Sequence, residues 1–461
     1  MREKIRTCLR WTTILLLAAS CCDGAQAGSD PLGNLVTAPG GAGLGAAWRL
    51  GRSPYRGDGL RVDLVPLYLY EGRYLFLHGD RAGIQLEPAR GQHVEVFLAH
   101  RYEGFPYNSR PASLEGMAAR EPSLDLGASY ELRGGWGEAY AELLHDVSGG
   151  ARGSELRLGL RHEWRAGRLR FWPKLMLSVR DARLNDYYYG VRPEEATPQR
   201  PAYAPGAGVN AEAGLYATYA LTERWRLLAG VTSTRWSHGV RESPIVQSRF
   251  DTQATVGLLY DFSPRHEPWP EAEPLRMRVL AGKGSDCGVW KIVRLVCTST
   301  TTPDRTRIAA AEVGRPFIIG LNGWPLDFVG WLGLLRHFDR GVQPDAWQVD
   351  AYMKGYWYGL PWSDRVMTRI GLGVGVSFAH EVPLLEVRDH EETGRNTSRL
   401  LNYLDPTIDF SVGDLLGVRS LRKTFLGLGV SHRSGIFATS QLLGNVKGGS
   451  NYVYSYLEWE M

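Results

Sequence analysis

The sequence predicts an all-β protein, an antiparallel transmembrane β-barrel fold, arranged as two barrels in tandem of about twelve and about eight strands. Three observations carry this. The first is a recurring period of two. Across residues 366–380 the even positions read Val, Thr, Ile, Leu, Val, Val, Phe, His, and the odd positions read Met, Arg, Gly, Gly, Gly, Ser, Ala. Successive strand side chains point to opposite faces, so one face is greasy and the other small or polar. The second is an export signal at the start of the chain. The third is that no segment after that signal offers about 18 consecutive apolar residues, which excludes helical membrane spans. The mean hydropathy of −0.24 fits strands with one face toward a polar lumen.

Residues 1–27 read as an address. Arg2, Lys4, Arg6 and Arg10 form a positive n-region, residues 11–19 a short apolar core, and Ala25-Gln26-Ala27 a small-x-small cleavage site. Ser20-Cys21 resembles a lipoprotein site but lacks the large aliphatic residue three positions before the Cys. Cleavage removes Cys8, Cys21 and Cys22 and leaves Cys287 and Cys297, which in an exported chain read as a disulfide across one hairpin or loop. Closing so short a loop contributes about 2–3 kcal/mol. The signal carries four basic and two acidic residues, so the net charge of +4 falls to +2 in the mature chain. That is no nucleic-acid signature.

The first barrel occupies residues 28–262. Its candidate strands lie near 43–51, 59–70, 74–78, 82–87, 93–102, 123–132, 137–145, 154–164, 169–181, 209–221, 225–236 and 252–262. Residues 154–164 alternate cleanly, with Leu156, Leu158, Leu160, His162 and Trp164 against Glu155, Arg157, Gly159, Arg161 and Glu163. Thr222-Glu223-Arg224 reads as a hairpin turn. Residues 263–274 hold four prolines and four charged residues, a stiff solvated linker. A linker leaving a completed barrel sits on the periplasmic side, so the second unit requires an even number of strands.

The second barrel occupies residues 275–461. Candidate strands lie near 275–282, 289–296, 307–313, 326–338, 347–358, 366–380, 407–412, 425–434 and 452–459. That is one too many or one too few, and eight makes a small barrel filled by side chains. Residues 192–205 and 381–399, rich in proline or charge, read as long outer loops. A single barrel of about twenty strands is the weaker alternative, because the proline linker interrupts it.

The first unit resembles the MltA-interacting protein family, the MipA/OmpV outer-membrane proteins. The resemblance rests on Asp186-Tyr187-Tyr188-Tyr189-Gly190-Val191, Pro193-Glu194-Glu195-Ala196, Pro201-Ala202-Tyr203, Gly206-Ala207-Gly208 and Glu242-Ser243-Pro244-Ile245-Val246. It implies an outer-membrane address and, for the founding member, a scaffold joining a murein transglycosylase to a murein synthase. Tyr187–Tyr189 read more simply as an aromatic loop at the membrane interface than as a ligand site.

The C-terminal end resembles the PagL-like lipid A deacylases, small outer-membrane barrels that use a His-x-Ser pair with a carboxylate to orient the His. The matching positions are His432 and Ser434, and Glu458 is the candidate acid; the implied partner is outer-membrane lipid and lipopolysaccharide. Residues two apart on a strand share a face, so the imidazole can take the proton of the hydroxyl as it attacks an ester. Leu426, Leu428 and Val430 precede them on that face. A His and a Ser there are oddly placed in lipid unless the substrate is itself lipid. The bland reading is a strand ending at the aqueous rim. Asp409 is a poorer acid, since Ile408, Phe410 and Val412 aim it inward.

No cofactor motif and no metal-ligand spacing occurs: His380-Glu381 and His390-Glu391-Glu392 lack HExxH spacing and helical context. Arg56-Gly57-Asp58 is explained by a turn. Gly371, Gly373 and Gly375, spaced by two, line a crowded interior. Three functions follow as expectations: a scaffold of murein enzymes, a lipid A ester hydrolase, and a narrow pore lined by Arg157, Arg161 and Glu163.

Overall fold

The computed structural model describes residues 41–105, 111–148, 150–262, 274–297, 299–300, 302–394, 396–436, 439–440 and 442–461. The export signal and residues 263–273 of the linker lie outside these. The chain separates into two compact units, Met1–Pro264 and Arg265–Met461. No helix among the described residues is long and apolar enough to cross a membrane.

The first unit is a β-meander closed on itself. Its strands are β1 (Ala42–Arg52), β2 (Leu60–Glu71), β3 (Leu75–His78), β4 (Arg81–Leu86), β5 (Gln92–Arg101), β6 (Ser123–Gly134), β7 (Gly137–Asp146), β8 (Ser154–Arg161), β9 (Trp164–Ala166), β10 (Leu169–Arg180), β11 (Gly208–Ala220), β12 (Trp225–Arg235) and β13 (Phe250–Asp261). β8 and β9 lie end to end along β10, so the wall is twelve strands around. β1 closes it by pairing on both sides, with Ala47 opposite Val65 on β2 and Gly257 on β13.

The burial pattern is that of a soluble protein turned inside out. On β8, Leu156, Leu158 and Leu160 are 38%, 44% and 55% exposed, while Glu155 and Arg161, which flank them on the opposite parity, are buried. Charged side chains are buried only when paired, and a belt of exposed leucines needs an apolar solvent. The pairing is present: Arg81–Glu142 at 2.8 Å, Arg101–Asp125 at 2.6 Å, Arg101–Glu155 at 2.7 Å and Arg157–Glu142 at 3.0 Å cross the interior.

The longer connections gather at one end and fold into a cap. It holds two helices, α1 (Ala182–Tyr189) and α2 (His238–Arg241), and a buried cluster that includes Tyr55, Phe105, Tyr188, Tyr189 and Trp236. Asp181 starts α1 by accepting from the Leu184 N–H at 2.9 Å, the usual N-cap contact. The tyrosine run is therefore not an interfacial loop. Tyr188 and Tyr189 are buried, the Tyr55 hydroxyl donates to the Tyr188 carbonyl at 3.2 Å, and Ser243 Oγ donates to the Tyr189 carbonyl at 2.6 Å. The 192–205 stretch is likewise folded into the cap: buried Arg120 holds Glu195 at 2.6 and 3.0 Å.

The second unit is a closed eight-strand barrel: β14 (Arg276–Gly284), β15 (Arg307–Ile318), β16 (Leu326–Phe338), β17 (Trp347–Trp357), β18 (Thr368–Ala379), β19 (Leu400–Ser411), β20 (Thr424–Ser434) and β21 (Gly449–Glu460). β14 pairs with β15 and β21 to close it, Leu280 lying opposite Ala310 and Tyr456. Ile370 and Leu372 on β18 face out at 47% and 55% exposure. The interior is filled. Arg278 bonds Glu312 and Tyr352 and meets Asp405 at 3.1 Å, Lys354 meets Asp405 at 2.6 Å, and Arg369 meets Asp409 at 2.8 Å. Gly427 and Gly429 make room for this packing, since a Cβ on either would lie 2.5 Å from the ring of Tyr456 or Tyr454.

Two expectations for this unit need correction. The segment at 289–296 is not a strand but the short helix α3 (Val289–Val293) in the loop after β14. Its apolar residues bury at helical spacing, Val289 and Ile292 against the outer wall, and a ninth strand would have made the meander odd. The strand at 407–412 is the second half of a longer one, β19. Pro406, which has no N–H to give the ladder, reads from sequence as a boundary, yet the register runs through it from Leu404↔His432 to Thr407↔Gly429. The 381–399 loop contains α4 (Leu384–Thr393), and a further helix, α5 (Val412–Leu416), follows β19.

Candidate functional site

β20 and β21 run antiparallel with His432 opposite Asn451 and Ser434 opposite Gly449. Leu426 and Leu428, on the parity of His432, are exposed, whereas Ser431 and Arg433 are buried inside. His432, Ser434 and Asn451 therefore lie on the outer face of the wall. They stand at the end of the barrel that carries the longer connections, 285–306, 380–399 and 435–448. In outer-membrane barrels the longer loops are extracellular.

His432 Nδ1 and Asn451 Oδ1 are 2.7 Å apart. In the Nδ1–H tautomer the ring donates to that amide oxygen and carries its lone pair on Nε2. Ser434 is half-buried and its hydroxyl has no hydrogen-bond partner among the described residues. Gly449 opposite it has no side chain to crowd that hydroxyl and could carry none, because a Cβ would fall 1.6 Å from the Arg433 carbonyl oxygen.

The site is held from both sides of the wall. Inside, Arg433 reaches Gln348 at 3.3 Å and the Arg399 carbonyl at 3.0 Å, and lies 3.4 Å from Glu386 of α4. Glu386 in turn accepts from Ser450 Oγ at 2.7 Å. Burial pushes the Glu386 carboxyl above its ordinary range, against the opposing pull of Arg433. In the wall itself the Ser285 N–H continues the β14–β21 ladder by donating to the Asn451 carbonyl at 2.9 Å, and outside it the α3 loop packs on Val430. Cys287 and Cys297 form the expected disulfide at the base of that loop.

Glu458, the acid expected to orient His432, does not reach it. It is buried inside the barrel, where it accepts from the Tyr356 hydroxyl at 3.0 Å and pairs with Arg369 at 2.9 Å. Its parity on β21 is opposite to that of Asn451, and it lies seven positions further along the strand. Asp409 faces inward as expected, on Arg369. The orienting group is Asn451, which sequence reasoning missed. Its signal was parity: Tyr452, Tyr454 and Tyr456 face in, so Asn451 faces out, but only the β20–β21 register sets it opposite His432. Asn in place of a carboxylate keeps the tautomer and orientation and gives up the negative charge, as in the Cys-His-Asn variant of the triad. Among the described residues no group of three or more His, Cys, Asp or Glu is placed to hold a metal ion.

Closed meanders with leucines outside and ion pairs inside define an outer-membrane β-barrel protein. Residues 44–262 match the family model of MltA-interacting protein MipA, so the first unit is similar to that family over this range. The outer membrane proteins Omp26La of Vibrio anguillarum and OmpV of Vibrio cholerae serotype O1 are each 30% identical over 160 residues, which are 34% of this chain and 62% of each relative. The chain thus spans less than two thirds of the length of those relatives. The MltA-interacting protein of Escherichia coli (strain K12) is 24% identical over 222 residues, 48% of this chain and 89% of that protein.

Proposed function

We propose that this outer-membrane protein organises the envelope as a non-conducting barrel that docks murein-remodelling enzymes, a transglycosylase and a synthase. The observation that carries this reading is the filled interior within a MipA-like unit: buried ion pairs cross the first lumen and a packed loop cluster closes one mouth. The expected pore is disfavoured for the same reason. Arg157 faces in, but pairs with Glu142 at 3.0 Å and Glu155 at 3.1 Å. The test is capture of the tagged chain from cross-linked envelopes. Enrichment of a murein transglycosylase supports the reading, and its absence under conditions that retain other envelope complexes retires it. Conductance steps in a planar bilayer would revive the pore.

The His432–Asn451 contact favours a second reading, acyl-ester hydrolysis of lipid A by the second barrel. His432 Nε2 would take the Ser434 proton as Oγ attacks the ester carbonyl. The tetrahedral intermediate would expel the sugar alkoxide, protonated by the imidazolium, and water activated by the same His would release the fatty acid. The site sits on the outer face, where an acyl chain is. Mass spectrometry of lipid A decides: a species one hydroxyacyl chain lighter, present with the wild type and absent with His432→Ala, supports hydrolysis. Identical spectra with folded protein end it.

A further inference from the structure

The loop closed by the Cys287–Cys297 disulfide lies against the outside of a barrel wall rather than over its mouth. Cys287, Val289 and Ile292 pack on Val430, with Val453 beside them, and Val430 and Val453 belong to the outer face of β20 and β21. With one side so buried, the other presents apolar residues outward. Trp290 is 64% exposed, Val293 46%, Leu295 80% and Val296 75%. Four large apolar side chains exposed within seven consecutive residues mark an interaction surface. Leu295 adds a second sign: it holds a left-handed backbone (φ 57°), which residues with side chains rarely adopt, and its side chain is exposed. Lys291 and Arg294 are exposed in the same segment and have no ion-pair partner among the described residues, and Asp286 is the one carboxylate between the cysteines' flanks at 285–297.

We propose that this disulfide-closed loop is a docking element for the phosphorylated glycolipid of the outer leaflet. Trp290, Val293, Leu295 and Val296 lie among the upper acyl chains, and Lys291 and Arg294 meet the phosphates. Continuity fixes the occupant: directly along β20 from Val430, the exposed Leu428 and Leu426 belong to the lipid-facing belt, so the loop extends that belt toward the headgroups. Irregular backbone is not tolerated at hydrocarbon depth, and Trp with basic residues is the composition of the interface. The proposal does not require that any ester be cut. It makes the loop the element that holds a glycolipid beside His432, whether or not the barrel is a hydrolase.

The test is site-specific photocrosslinking of the full chain in cells. Trp290→p-benzoylphenylalanine and, separately, Val296→p-benzoylphenylalanine are expected to give lipopolysaccharide adducts. The same label at Trp362, exposed at the opposite end of the barrel, is expected to give none. In nanodiscs with limiting lipopolysaccharide, combining the label with Lys291→Gln and Arg294→Gln should weaken adduct formation about 30-fold, since each basic residue near an anionic lipid surface contributes about fivefold. Equal adducts at 290 and 362, adducts with protein in place of glycolipid, equal labelling in phosphatidylglycerol discs, or indifference to the two Gln substitutions would each overturn it. Gel heat-modifiability confirms that every labelled barrel is folded.

Discussion

Replacing Asp405 with Asn should unfold the second barrel far more readily than its single lost charge suggests. Asp405 is fully buried and takes Lys354 at 2.6 Å and Arg278 at 3.1 Å, with a further bond from Tyr454. Arg278 keeps Glu312 in the variant, but Lys354 has no other ion-pair partner among the described residues. The result is an ammonium with 0% of its side chain exposed and no counterion. Breaking a buried pair from one side costs about 3–5 kcal/mol. With a slope of about 2 kcal/mol per molar urea, the unfolding midpoint should fall by about 2 M. The assay is urea titration of the reconstituted full chain, read by protease resistance of a C-terminal epitope. Adding Lys354→Met removes the orphaned charge, so the double variant should return to within about 1 kcal/mol of wild type. A single variant costing under about 1 kcal/mol, or a double variant as damaged as the sum of its parts, would refute the reasoning.

Arg120→Ala should loosen the cap of the first barrel by about 3–5 kcal/mol, because it strands buried Glu195 and frees the Tyr187 and Ala118 carbonyls that Arg120 holds at 2.6 and 2.8 Å; hydrogen exchange of 181–207 should rise while the strands stay protected. Acid should do the same reversibly. Burial raises the Glu195 carboxyl, but the bonds from Arg120 and from the Arg192 and Ala118 N–H groups together outweigh it, so its pKa in the fold lies below the ordinary 4.5. Burial of Glu103 is likewise outweighed, by Arg180 and Arg101. Groups lowered in the fold stabilise it above their unfolded pKa and lose that contribution as pH falls through the folded value, so cap protection should be flat above about pH 5 and fall below pH 4.5; a fall beginning near neutrality would contradict the assignment. Cys287→Ser with Cys297→Ser should release the α3 loop at a cost of about 2–3 kcal/mol, seen as protease cleavage within 285–297 with the barrel intact.

Much of the fold was legible because lipid leaves a simple mark. Leu156, Leu158 and Leu160 alternate with Glu155, Arg157 and Arg161 since a strand between lipid and a polar interior must change character at each residue. Where one physical rule acted alone, reading it sufficed: all twelve strands of the first wall appear where alternation put them. Where two rules competed, it did not. Pro406 obscured the first half of β19, and the β-branched run at 289–296 hid a helix that a disulfide and the outer wall stabilise. The candidate site shows the same division. His432 and Ser434 were visible as a two-residue spacing, but the partner of His432 was assigned to an acid because the deacylase resemblance implies a carboxylate there, and register, which sets Asn451 opposite it, is not visible in a sequence.

By itself, then, the sequence determined the class, the compartment, the number of strands to within one, the disulfide and the face that His432 shares with Leu426 and Leu428. These depend on solvent preference and on parity, which are local properties of the chain. Only the tertiary structure decided that Tyr188 and Tyr189 close a loop cap, that Glu458 pairs with Arg369 inside the barrel, and that Asn451 orients His432. Those contacts join residues 19 to 133 positions apart, and their partners are chosen by register and closure, which no single stretch of sequence encodes.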